Sequence, residues 1–120
     1  MDTGELLARV REIALQQPLV TERLSHGGPG WFIEKSPQFA MFLDHHHGVD
    51  WVAIWIACPE GAREPLIDDD PDTYFIPPYV GTRGWVGVRL DETTDWDTVA
   101  DLIDDAWHAV AKPRQRAAAD

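Results

Sequence analysis

Apolar residues open the chain at helical spacing. At about 100° per residue, Leu6, Val10, Ile13 and Ala14 fall on one face with Leu7 beside them, while Arg11 and Glu12 point away. This predicts a helix over residues 4–17, opened by a capping box of Asp2 and Glu5 and stopped by Pro18. The period then shortens. Residues 20–24 read as a short edge strand, Gly27-Gly28-Pro29-Gly30 as a turn, and residues 31–34 and 38–43 as strands around Lys35-Ser36-Pro37. A polar loop, 44–50, leads into a strand over 51–57. Residues 59–70 form a short helix, with Pro65 tolerated in its first turn. Tyr74-Phe75-Ile76 is a strand broken by Pro77-Pro78, which cannot donate to a ladder and so belongs at an edge. Residues 84–90 make the last strand. Thr94 opens the final helix with Asp97 completing a second capping box, and Pro113 closes it after Lys112.

This order is α+β: long N- and C-terminal helices on one face of an antiparallel meander sheet, with a short helix inserted before the last two strands. Residues 1–112 make one domain, and the Pro/Ala-rich stretch 113–120 is expected to fray. The two best strands divide their side chains by alternation. Val52, Ile54, Ile56, Val86, Val88 and Leu90 form an aliphatic side for the two long helices. The other side gathers Trp51, Trp55, Trp85 and Arg89. With helices for one face only, that second face is either capped by the Pro77-Pro78-Tyr79 segment or open to a partner.

Composition narrows the class. With 120 residues, 44% hydrophobic and 26% charged, the chain is an ordinary globular domain. A lone Cys58 closes no internal bridge and no zinc spacing occurs. The longest apolar run, 51–58, falls far short of the roughly 20 residues of a membrane span, and the acidic start is unlike a secretory signal. A soluble cytoplasmic protein is expected. The formal charge of −11 is unevenly spread: residues 60–105 hold 13 acidic residues against Arg63, Arg83 and Arg89. Lys112, Arg114 and Arg116 are the only basic cluster, so few cations are available for phosphates.

Candidate chemistry is sparse. In His45-His46-His47, flanked by Asp44 and Asp50, imidazole suits a transition metal. In an extended loop only His45 and His47 face the same way, and a site would need His26 or an aspartate besides; a solvated loop is the plainer account. Asp97, Asp101, Asp104, Asp105 and His108 line one side of the last helix without a calcium-loop spacing, as a solvated face does. Ser25 precedes His26, but adjacency is not a triad. No phosphate-loop or dinucleotide fingerprint occurs, and no cofactor is implied. Cys58 reads as a packed, inert thiol. A non-enzymatic protein is expected, since no acid, base and nucleophile converge. The 79–85 turn carries more: Arg83 at its tip could meet a phosphate while Tyr79 and Trp85 stack on a flat ring.

At this turn the sequence resembles a known family. Tyr74-Phe75-Ile76-Pro77-Pro78-Tyr79-Val80-Gly81-Thr82-Arg83-Gly84-Trp85-Val86-Gly87-Val88-Arg89-Leu90-Asp91, followed by Asp95-Trp96-Asp97, is similar to the MmcQ/YjbR family. His46-His47-Gly48 and Ala57-Cys58-Pro59-Glu60-Gly61 resemble its middle. The resemblance implies a CyaY-like, frataxin-related fold and a small DNA-binding protein that uses a double-wing arrangement of strands. The wing-like positions it carries over are Tyr79, Arg83 and Trp85. For DNA, Arg23, Lys35, Arg83 and Arg89 would have to gather on one face. Two other functions fit the sequence: a protein- or small-molecule-binding module on the Trp51/Trp55/Trp85/Arg89 face, and a frataxin-like metal binder using the last helix or the His loop. No membrane partner is expected.

Overall fold

The computed structural model describes residues 1–119. Helix α1 spans Thr3–Leu15 and is capped as its sequence predicts: the Asp2 carboxylate accepts from the Glu5 N–H at 2.8 Å and Glu5 answers the Asp2 N–H. It ends two residues early, clear of Pro18, whose carbonyl accepts the Trp107 indole N–H at 3.0 Å. Strands β1 (Val20–Ser25), β2 (Gly28–Ile33), β3 (Gln38–Asp44) and β4 (Val52–Ile56) follow, each antiparallel to the last. Helix α2 (Arg63–Asp69) precedes β5 (Tyr74–Phe75) and β6 (Val86–Leu90), and α3 (Trp96–Val110) and α4 (Pro113–Arg116) end the chain.

Four expectations are corrected. The first turn is tighter than predicted: only His26 and Gly27 form it, both at positive φ, as a two-residue hairpin requires. Gly28, Pro29 and Gly30 pair with Ser25, Leu24 and Arg23, and Gly28 lies so near β3 that a Cβ there would sit 2.6 Å from the Phe42 carbonyl oxygen.

The sheet, secondly, is not a simple meander. Its order is β1-β2-β3-β4-β6-β5, so β6 returns between β4 and the edge strand β5. Pro77 and Pro78 keep β5 at that edge, as predicted, whereas β6 pairs on both sides.

The cap of α3, thirdly, is Asp95, whose carboxylate accepts from the Asp97 and Thr98 N–H groups. Thr94 instead accepts from the Asp91 N–H and closes the turn before the helix.

The C-terminal stretch, finally, docks where fraying was expected. Gln115 in α4 is fully buried; its amide oxygen accepts from the Lys112 N–H at 2.9 Å and its amide nitrogen lies 3.0 Å from the Ser36 carbonyl. Arg114 pairs with Glu34 at 2.8 Å. Pro113 therefore does not only stop α3. It sits at the first position of a new turn, where its missing N–H costs nothing.

The aliphatic side forms as alternation dictates. Val52, Ile54, Ile56, Val86, Val88 and Leu90 are all buried, together with Leu6, Val10 and Ala14 of α1 and Val99, Ile103, Ala106 and Trp107 of α3. Each buried aliphatic side chain contributes about 1.5–3 kcal/mol. Beside this apolar packing, one polar contact ties α1 to the sheet. Glu22 takes Arg11 through both carboxylate oxygens, at 2.9 and 3.0 Å, and accepts the buried Trp31 indole N–H at 2.9 Å. Arg11 holds the Glu22 carboxyl below its usual range.

Gln115→Ala should lower unfolding free energy by about 1–3 kcal/mol, because it strips hydrogen-bond partners from buried groups. A urea titration checks this; a change within about 0.5 kcal/mol, typical of a surface position, would mean that the terminal turn is not docked.

Candidate functional site

The face opposite the helices is built by cross-strand register. Trp55 stands beside Gly87, which stands beside Phe75, and Ala53 beside Arg89. Of the residues expected to form an open surface there, Trp55 is 2% and Trp85 4% exposed. Trp51 and Arg89 are half-buried. The face is capped, and the binding surface proposed for Trp51, Trp55, Trp85 and Arg89 is corrected accordingly: Trp55 and Trp85 cannot stack on a visitor.

Two segments supply the cap. From the sheet edge, the Phe75 ring lies flat over Gly87, where a Cβ would come within 2.3 Å of Cζ. Trp51 packs on the same ring at 5.7 Å. The Arg89 guanidinium lies 4.3 Å from the Trp51 ring and 4.8 Å from that of Phe75, and donates to the carbonyls of Pro71 and Asp72. Arg89 thus closes the surface instead of offering a charge to solvent. From the other side comes the His loop. His46 meets the Trp55 ring edge-on at 4.8 Å, His47 stacks on His46 at 3.9 Å, and Tyr79 stands 6.2 Å from both. A cavity of about 110 Å³ remains between His46, Trp51, Trp55, Phe75 and Pro78.

The loop conformation overturns the predicted pairing of His45 with His47. His46–Gly48 is a short 3-10 turn, and both His45 and His47 have positive φ, so the alternation of an extended loop does not apply. His45 turns to the Asp44 carboxylate. Among the described residues no three His, Cys, Asp or Glu side chains converge for a metal ion. Asp97, Asp101, Asp104, Asp105 and His108 are exposed along α3. Burial pushes the half-buried Cys58 thiol up, away from reactivity.

The 79–85 turn is compact and tied to α2. Tyr79 enters at φ 62°, Val80–Arg83 make a 3-10 turn, and Gly84 leaves at φ 83°. Arg63 pins it from α2, donating to the Gly81 carbonyl at 2.8 Å and the Trp85 carbonyl at 3.1 Å. Tyr79, 61% exposed, and Arg83 are the two wing positions left accessible. Sequence reading missed Arg63, because besides the adjacent Glu64 its partners in this turn are backbone atoms far along the chain, which leave no side-chain signature.

It also missed where the cations meet. Arg23 donates to the Lys35 carbonyl at 2.6 Å with its guanidinium 3.8 Å from the Phe32 ring, Lys112 reaches the Ser36 hydroxyl, and Arg114 reaches Glu34. Of the four cations that DNA contact would have to gather, Arg23 therefore meets the Lys35 backbone at the β2–β3 turn, where Lys112 and Arg114 of the tail also arrive. Arg89, which was to join them, lies at the other end of the strands.

Two helices over one face of an antiparallel sheet define the chain as an α+β protein with a closed second face. The YjbR family model matches residues 15–109, and the chain belongs to the YjbR family. The fold is similar to that of the crystal structure of Deinococcus radiodurans protein DR2400, which carries the family domain DUF419. That similarity has a TM-score of 0.69 at 16% identity, covering 84% of this chain and 75% of the other. No curated protein matches the chain.

The closed His loop should respond to acid. Burial against its neighbours, and next the charges of His47 and His26, lower the His46 pKa. The loop's hold on Trp55 is then complete above the ordinary histidine value of about 6.5 and is lost as pH falls through the lowered one. The Trp55 indole N–H resonance should therefore shift between about pH 7 and 5 in the wild type and not in His46→Phe; a resonance that stays fixed in the wild type would refute the contact.

Proposed function

We propose that the protein is a small, non-enzymatic, cytoplasmic binding protein whose contact with DNA runs along the basic edge at the β2–β3 turn. The observation that carries this reading is the convergence of Arg23, Lys112 and Arg114 on the Glu34-Lys35-Ser36 turn, where Lys35 itself is exposed and Glu34 is already paired with Arg114. Cations held against phosphates supply the sequence-independent part of DNA affinity. The pinned segment also supports it, since Gln115 fixes α4 on the sheet and so fixes the register of the three tail cations. Helices α1 and α3 on one face of the sheet support the CyaY-like description of the fold. No described helix is long and apolar enough to cross a membrane.

The indole face does not carry the alternative of a protein- or small-molecule-binding module, because its rings are covered by Phe75, His46 and Arg89. Tyr79 and Arg83 remain as an accessible second contact, separable by mutation from the edge.

Fluorescence anisotropy with a labelled duplex tests the reading. About four phosphate contacts should cost roughly two orders of magnitude in affinity between about 50 and 200 mM salt. Lys112→Ala with Arg114→Ala should weaken binding and flatten that slope by about 2, while Arg83→Ala should leave both unchanged. Absence of binding at the lower salt would end the proposal, and loss of binding in Arg83→Ala alone would move the contact to the wing.

A further inference from the structure

The sheet has two outer edges, and they are guarded unequally. Strand β5 ends it on one side with two residues, followed by Ile76 and then Pro77-Pro78, which donate nothing to a further strand. Strand β1 ends it on the other with six residues, Val20–Ser25, that include no proline and no lysine. The hairpin register decides which backbone groups lie on that open edge. The Glu34 N–H donates to the Leu19 carbonyl at 2.7 Å, so these two residues form a hydrogen-bonded pair. Such pairs recur at every second position, at Thr21 with Phe32, Arg23 with Gly30 and Ser25 with Gly28. Val20, Glu22 and Leu24 therefore turn their N–H and C=O groups outward. Among the described residues no turn or loop supplies those groups with a backbone partner.

The side chains of the same strand say what fits there. Leu24 is 85% exposed, more than any other large hydrophobic residue described. Leu15 and Leu19, also exposed, stand at the opposite end of the strand, just before Val20. Within one copy these two apolar ends lie apart. An antiparallel second copy brings them together. A twofold axis through Glu22 sets Leu24 opposite Val20 of the second copy and Val20 opposite its Leu24, with Glu22 opposite Glu22 at the axis. All three outward-facing residues then become hydrogen-bonded pairs, each exchanging both of its N–H···O bonds. Shifting this register either way loses a pair, because Val20 or Leu24 then falls opposite a residue outside the strand.

We propose that β1 is an interface with a second copy of this chain, the two β1 strands pairing antiparallel about a twofold axis so that one sheet runs through both copies. Residues directly opposite in such a pair share a face. Glu22 reaches Arg11 of α1, so Val20, Glu22 and Leu24 all lie on the helix side. Leu24 is thereby covered by Val20 of the second copy at the end where that copy's Leu15 and Leu19 are exposed. On the other side of the sheet Arg23 faces Thr21. At the axis each Glu22 carboxylate already takes Arg11 through both oxygens, so two neutralised pairs meet there and not two bare charges. A single strand edge roughly 20 Å long covers less than the about 1,200–2,000 Å² of a stable interface, so the dimer is weak and depends on concentration. The inference does not rest on the DNA reading: its bonds come from Val20, Glu22 and Leu24, none of them a cation of the basic turn.

Sedimentation velocity of the whole chain from about 10 μM to 1 mM is the test, at about 150 mM salt to screen the repulsion between two acidic copies. Monomer at the low end and dimer at the high end are expected. Leu24→Lys, at an exposed position, should keep the circular dichroism of the fold and weaken dimerisation at least about tenfold, because an edge lysine opposes strand pairing. Ile76→Lys, 58% exposed beside the other edge, should dimerise as the wild type does. In the dimer the Glu22 and Leu24 amides should exchange with deuterium more slowly than in the monomer. A monomer at every concentration, undiminished dimerisation in Leu24→Lys, its loss in Ile76→Lys, or exchange at Glu22 and Leu24 indifferent to concentration would each overturn the proposal.

Discussion

A sheet needs an apolar partner on each face, or water on one of them, and this chain has two long helices for a single face. The rest of the architecture follows from how the second face is closed. Gly87 is the point on which it turns. Because it has no side chain, the Phe75 ring can lie directly on the β6 backbone; the ring then supports Trp51, and both rings support the Arg89 guanidinium. A side chain at position 87 would lift Phe75 and open the stack from its base. The short edge strand is poor in ladder hydrogen bonds, and its aromatic side chain serves as a lid.

The two ends of the sheet carry opposite electrostatic character. Strand direction puts the 44–51 loop, the β6–α3 turn, the α2–β5 segment and the start of α1 together. The β2–β3 turn and the docked tail stand at the other end. The carboxylates at the first end have local tasks, as caps and turn locks for α1, α3 and the β5 approach. Helix N-termini favour negative charge, so three structural demands concentrate acid in one place. An acidic composition therefore does not mean an evenly acidic surface.

What was legible in the sequence was whatever alternation and capping control. The α1 cap, the aliphatic face of β4 and β6 and the edge position of β5 all come from short-range rules that a few residues obey. The insertion of β6 between β4 and β5 was not legible, because alternation gives faces and not neighbours. Nor was the cover over Trp55: His46 reaches it only because His45 and His47 take positive φ, which the histidine run does not announce. Gln115 was misread for a related reason. Composition predicts what a segment would do in water, and its fate here is set by carbonyls of the β2–β3 turn about eighty positions earlier in the chain.

Distance and screening decide whether a chain of charge −11 can present a cationic edge at all. The molecule measures 39 × 30 × 26 Å, and the Debye length at physiological ionic strength is about 8 Å. Strands of five to seven residues at about 3.3 Å each put the carboxylates at one end roughly two screening lengths or more from Lys35 and Arg114, so a ligand at the basic edge responds mainly to the charges within a turn or two of it. At about 0.01 M salt the screening length grows to roughly 30 Å, the acidic end is felt across the whole molecule, and it opposes an approaching polyanion. Lowering salt therefore strengthens the local ion pairs and the long-range repulsion together. Affinity for an anionic polymer at this edge should pass through a maximum with ionic strength, unlike the steady rise toward low salt of a uniformly basic protein.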